Sequence, residues 1–200
     1  MRARPRTAPA TRALAAVRAV RPSDQEIEEC ILDAAAALFA QLGYERTSVQ
    51  RIADDTGYSK TGLLHKFGSK EQLHDAVRER CLATFAGATS RARTREPGPA
   101  RDREIVAALV DLAVQRPGFI ALLLSGVTPR QDDDTAWVHR GTRELLDSGF
   151  GLDDTTPLSR RMRVLGCLGA LGVGAAATAE FPAHEVHAER EATCCAVLGL

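Results

Sequence analysis

Two hundred residues suffice for a small domain joined to a larger one, each with a real core. Apolar residues make up 44% of the chain and aromatics only 4%, while Ala, Leu and Arg are abundant and β-branched runs scarce, a mix that argues against a sheet and for helix throughout. Formal net charge is zero, yet this does not exclude a nucleic-acid partner: residues 1–22 carry six Arg and no acid, whereas residues 97–200 carry ten Arg against fourteen Asp and Glu.

The basic start, residues 1–22, offers few large apolar groups to offset ordering entropy and reads as a disordered arm. It lacks the apolar stretch of a signal peptide. A passive tail, a DNA-gripping arm and an over-extended start all remain open for it. Order is expected from Ser23. Ser23 or Asp24 caps a first helix over 24–42 with an acidic first turn, Ile27, Cys30 or Ile31, Ala34, Leu38 and Leu42 at helical spacing, and Gly43 at its end. Thr47 and Ser48 then cap a short helix carrying Val49, Ile52 and Ala53, which Gly57 breaks. Ser59 caps another, with Leu63, Leu64 and Phe67 inward, stopped by Gly68. Ser69, at capping-box spacing from Gln72, opens a longer helix with Leu73, Val77, Cys81, Phe85 and Ala88 along one side. After the break at Arg95–Ala100, helical patterns recur at about 101–115, 117–125, 134–147, 157–179 and 183–198. The fold class is therefore all-α, with about nine helices and no repeat. The domains expected are the arm at 1–22, a helix-turn-helix domain at 23–68, and a helical linker, sensing and dimerisation domain at 69–200.

The informative stretch runs from Thr47 to Phe67. Two short helices crossing steeply need a small residue at their contact and a glycine at their turn, and Ala53 and Gly57 meet both needs. Ile52 and Leu63 fill the wedge, which leaves Ser59, Lys60, Thr61, His65 and Lys66 on the outer face, where Gly62 adds no bulk. An α-helix fits the major groove of DNA, and its N-terminal residues reach base edges. Arg46, Thr47 and Ser48 on one flank and Ser69 and Lys70 on the other sit at helix starts, where free N–H groups and a cation clamp phosphate. The only three lysines in the chain, Lys60, Lys66 and Lys70, fall within eleven positions of this segment.

With Ile31-Leu-Asp-Ala-Ala-Ala-Ala-Leu-Phe39, Gly43-Tyr-Glu-Arg-Thr-Ser-Val49, Ile52-Ala53, Gly57-Tyr-Ser-Lys60 and Phe67-Gly-Ser-Lys-Glu-Gln-Leu73 in this order, residues 27–77 resemble the N-terminal domain of the TetR family of bacterial transcriptional regulators. The resemblance implies a cytoplasmic, ligand-responsive regulator, most simply a repressor, that binds a palindromic double-stranded DNA operator as a homodimer and is released by a small-molecule effector. It places base readers among Ser59, Lys60, Thr61, Gly62 and His65, and phosphate contacts at Thr47, His65 and Lys70. Leu64 departs from the family's usual Tyr, and Lys66 stands where another aromatic is frequent.

In the second half, Gly166, Gly169, Gly172 and Gly174 weaken a helix by about 1 kcal/mol each, a cost that close approach of a partner helix offsets; with 183–198 it would build a four-helix dimer interface. A packed monomer core is the plainer alternative. Candidate pocket residues are Phe85, Phe119, Leu123, Trp137, His139, Met162 and Cys167, each equally at home in the core. The five cysteines, Cys30, Cys81, Cys167, Cys194 and Cys195, show no CxxC spacing, and His184, His187, Glu191 and Cys194 lie on one segment, so no metal and no cofactor are expected. No catalytic motif is visible, and an enzyme is not expected. The longest apolar run, Leu165–Ala179, is short for a membrane span, and no membrane partner is expected. A helical small-molecule-binding module, or an architectural DNA-binding protein without an effector, are the other readings.

Overall fold

The computed structural model describes residues 23–127, 136–177 and 181–200. The expected arm at 1–22, the loop around Pro129 and the last residues of the expected 157–179 helix lie outside them.

Nine α-helices, and no strand among the described residues, make up the fold: α1 Asp24–Leu42, α2 Val49–Thr56, α3 Lys60–Phe67, α4 Lys70–Ser90, α5 Pro99–Gln115, α6 Pro117–Ser125, α7 Ala136–Glu144, α8 Leu158–Ala177 and α9 Ala183–Leu198. The all-α expectation and nearly every boundary are met, because the stop and start signals are local. Serines cap the first four helices: the hydroxyls of Ser23, Ser48, Ser59 and Ser69 accept from the backbone N–H of Glu26, Arg51, Gly62 and Gln72. Each such cap contributes about 1 kcal/mol. The full reciprocal box forms at Ser23, whose own N–H donates to Glu26 at 2.7 Å. Gly57 turns the chain between α2 and α3 with φ 75° and ψ 12°, a left-handed conformation that a β-carbon resists.

On α1 the buried stripe passes through Ile31, Leu32, Ala35, Ala36, Leu38 and Phe39, and Cys30 is exposed, which decides between the two candidates at that turn. On α4 the stripe is Leu73, Val77, Cys81, Phe85 and, one residue beyond the expected Ala88, Thr89. The expected helix at 134–147 is α7 followed by a wider π-helical turn, Leu145–Gly149. The start of α5 holds that turn in place. Arg101 donates to the carbonyls of Ser148 and Arg95, and the buried Asp102 pairs with Arg160 of α8 at 2.7 Å.

The most extensive helix contact joins α1 to α6. Gly118 makes it possible, since a β-carbon there would overlap the backbone carbonyl of Asp33. The Asp33 carboxylate in turn accepts from the N–H groups of Gly118 and Phe119, at 3.2 and 3.0 Å, satisfying two of the free donors at the start of α6. Burial holds this carboxyl above its usual range, against the pull of the two N–H donors and Arg116. At the far end, α8 and α9 pack along each other, and α9 also covers α5.

Candidate nucleic-acid interface

Helix α3 stands on the surface because its inner side is small and completely committed. Leu63 is buried against Ile52 and Ala53 of α2 within the one core cluster, and Leu64 and Phe67 pack at its edge. Ser59, Lys60, Thr61, Gly62 and His65 are all exposed. Lys60, Thr61 and His65 make no side-chain hydrogen bond or ion pair among the described residues. The Ser59 hydroxyl faces the bare Gly62, and a β-carbon at Gly62 would lie 3.1 Å from it. The first four of these expected base readers thus lie exposed at the cap and first turn of α3, and His65 lies exposed in its last turn.

The flanks divide. Arg46 and Ser48 are exposed beside the start of α2, and Ser48 is its cap. Lys70, at the start of α4, lies 4.0 Å from the centre of the Tyr44 ring and donates to the Glu45 carbonyl at 3.4 Å. These two contacts hold the Lys70 ammonium beside the start of α4. Thr47 corrects the expectation: it is 1% exposed, and its hydroxyl donates inward to the carbonyls of Gly43 and Leu38 at 2.8 and 3.3 Å. Its side chain closes the α1–α2 corner and is not available to DNA. Lys66 is also spent on the protein, pairing with Glu28 of α1 at 3.0 Å. Sequence reasoning passed over Tyr58, exposed in the α2–α3 turn beside Ser59; its place after the turn glycine was the available signal.

The candidate pocket residues do not form one site. Phe85 and Leu123 border a cavity of about 330 Å³ between α4, α6, α7 and the π-helical turn. Thr89 and the Arg93–Glu144 pair, 3.3 Å apart, supply its polar groups. Phe119 and Cys167 are core, the latter carrying the Cys194 thiol on its carbonyl at 3.7 Å. Burial pushes the Cys81 thiol up to about 12, and it donates to the Phe119 carbonyl. Trp137 lies in a separate cleft beside Tyr44, His74 and Arg140, and His139 shares a hydrogen bond with the Gly126 carbonyl at 3.0 Å. Met162 is 59% exposed on α8 and borders none of these cavities.

Met162 belongs to a different feature. With Leu158, Gly166, Gly169 and Val173 it forms an exposed apolar stripe along α8, continued by Val197 and Phe181. The four glycines of α8 have different uses. Gly172 lets Leu124 of α6 approach, Gly166 lets Val197 of α9 approach, Gly174 faces Arg190, and a β-carbon on Gly169 would meet nothing. A groove of about 410 Å³ between α8 and α9 borders the stripe.

A short helix pair with a left-handed glycine turn and an exposed N-terminal end on its second helix is a helix-turn-helix, carried on an all-helical fold. Residues 31–77 match the model of the tetR family of bacterial regulatory proteins. The HTH-type transcriptional regulator RutR of Escherichia coli is 44% identical over 55 residues, 28% of this chain and 26% of RutR. The HTH-type transcriptional repressor AcnR of Corynebacterium efficiens is 38% identical over 60 residues, 30% of this chain and 32% of AcnR. The chain thus spans only about a quarter to a third of the length of these curated relatives. Over nearly the whole chain the fold is that of the TetR-like regulator LfrR of Mycobacterium smegmatis, with a TM-score of 0.60 at 16% identity, covering 85% of this chain and 94% of LfrR. AibR, solved with isovaleryl coenzyme A and operator DNA, has a TM-score of 0.50 at 18% identity, covering 84% of this chain and 97% of AibR.

Proposed function

We propose that the chain is a transcriptional regulator, most simply a repressor, that binds a palindromic operator as a homodimer and releases it when a small molecule enters the cavity between α4, α6 and α7. The observation that carries this reading is the open face of α3, where Lys60, Thr61 and His65 have no protein partner among the described residues. A donor-bearing helix end of this kind suits guanine and thymine edges in the major groove. Residues 23–68 act as the reading head and 69–200 as its controller, and a protein that acts on a bacterial operator works in the cytoplasm.

The α8 stripe supports the homodimer. Its exposed Leu158, Met162 and Val173 and the open Gly169 lie on one side of the helix, the arrangement that a two-fold related copy covers. The cavity beside Phe85 and Leu123 supports an effector that is largely apolar, with a polar end for Thr89 or the Arg93–Glu144 pair. An effector releases DNA only if it binds one arrangement of the two heads better than the other.

Selection of bound duplexes from random DNA tests the function. Enrichment of an inverted repeat supports it, and no enrichment over the starting pool overturns it. Small molecules that detach the chain from the selected duplex then identify the effector, and Leu123→Trp, which fills the cavity, is expected to abolish their effect while leaving DNA affinity within about threefold.

A further inference from the structure

Four ion pairs lie end to end across the protein. Lys66 of α3 meets Glu28 at 3.0 Å, Arg80 of α4 meets Glu28 at 3.7 Å and also Glu29, and Arg116 at the α5–α6 corner meets Glu29 at 3.1 Å. Signs alternate without a gap, so Glu28 and Glu29 of α1 each hold two cations and Arg80 joins the two halves. The side chains are between 13% and 36% exposed, enough to stay ionised but too enclosed to be treated as free surface pairs. Arg116 is also the residue from which α6 begins, directly before the turn whose N–H groups Asp33 holds.

Two adjacent carboxylates on one helix repel unless something lies between them, and Arg80 lies between Glu28 and Glu29. Removing any cation therefore leaves a carboxylate that pulls on the next one, and the pairs act as a unit. An isolated exposed pair shifts an equilibrium by about fivefold or less; a connected chain on four elements also fixes their mutual angle.

We infer that Lys66 is a positioning residue, not a DNA contact, and that the chain Lys66–Glu28–Arg80–Glu29–Arg116 sets the angle of α3 from the α5–α6 corner. The inference rests on the reading of α3 as the DNA-facing helix. It gives the controller a direct hold on the head: α6 carries Leu123 of the cavity at one end and Arg116 at the other. A shift of α6 along its axis draws Glu29, Arg80 and Glu28 with it and changes the tilt of α3.

The test uses the full chain in two measurements. In the first, without DNA, hydrogen exchange of the amides of α3 is compared among the wild type, Lys66→Gln, Lys66→Arg and Arg116→Gln. Exchange in α3 is expected to speed up about twofold to fivefold in Lys66→Gln and in the remote Arg116→Gln, and to return to the wild-type rate in Lys66→Arg. In the second, affinity for the duplex selected by the wild type is followed against salt. Lys66→Gln is expected to keep the wild-type salt slope, whereas Lys70→Gln lowers its magnitude by about 0.9. A slope lowered equally in Lys66→Gln overturns the inference, and so does an Arg116→Gln variant whose α3 exchanges at the wild-type rate. If the wild type selects no duplex, the DNA reading itself fails, and the exchange measurement still decides whether the chain of pairs positions α3.

Discussion

Lys60 and Lys70 carry the same charge but are proposed for different tasks, and substitution separates them. Lys60→Ala is expected to cost about 1–3 kcal/mol at one base position, whereas Lys70→Ala weakens all duplexes about equally. Binding of single-base variants of the selected duplex distinguishes the two patterns; equal losses on selected and random DNA for both lysines contradict the assignment. Thr47→Val keeps the shape but loses both inward hydrogen bonds of the hydroxyl. It should lower unfolding stability by about 1–3 kcal/mol in denaturant titration and leave the salt slope of DNA binding unchanged. A reduced slope with unaltered stability would return Thr47 to the interface. The exposure of Ser59, Lys60, Thr61, Gly62 and His65 was legible because residue type, helix phase and the Gly57 turn are local properties. The burial of Thr47 and the pairing of Lys66 were not. They depend on the Leu38 carbonyl and on Glu28, partners that a window around the motif does not contain.

Among the helices, legibility follows the same rule. Serine caps marked the starts of α1 to α4 and terminal glycines the ends of α1 to α3, whereas the π-helical turn after α7 is held by Arg101 reaching Ser148 from another helix. The glycines of α8 read as a set in the sequence, yet two of them serve neighbours within the chain and Gly169 alone is open. Dimerisation should therefore respond to the outward residues. Val173→Asp, which places a charge on the stripe, is expected to halve the mass in sedimentation with unchanged helix content. An unchanged mass would overturn the stripe as the contact of the proposed dimer. The α1–α6 contact makes a separate prediction. Gly118→Ala forces the two backbones apart and should cost about 1–3 kcal/mol of stability, read from the denaturant midpoint.

At the scale of the whole molecule, α1 and α6 are joined at Asp33. Burial raises this carboxyl, so folding favours its protonated form. Its contribution to stability is full below the ordinary carboxylate range and is lost as pH rises through the raised folded value. Asp33→Asn does not titrate, so its stability relative to the wild type should climb as pH rises through and above the ordinary carboxylate range. Parallel stability curves for the two proteins would show that the Asp33 carboxyl titrates alike in folded and unfolded chains.

The same joint constrains how this chain can be recombined with another of the same fold. A hybrid cut in the turn between α3 and α4 would bring α1 from one parent against α6 from another. Gly118 and the paired N–H groups behind it are then compatibility requirements of the recipient, not of the transplanted head. A recipient with any larger residue at that position would accept the foreign head only with its helices splayed. The portable unit is therefore discontinuous: α1 to α3 together with the first turn of α6.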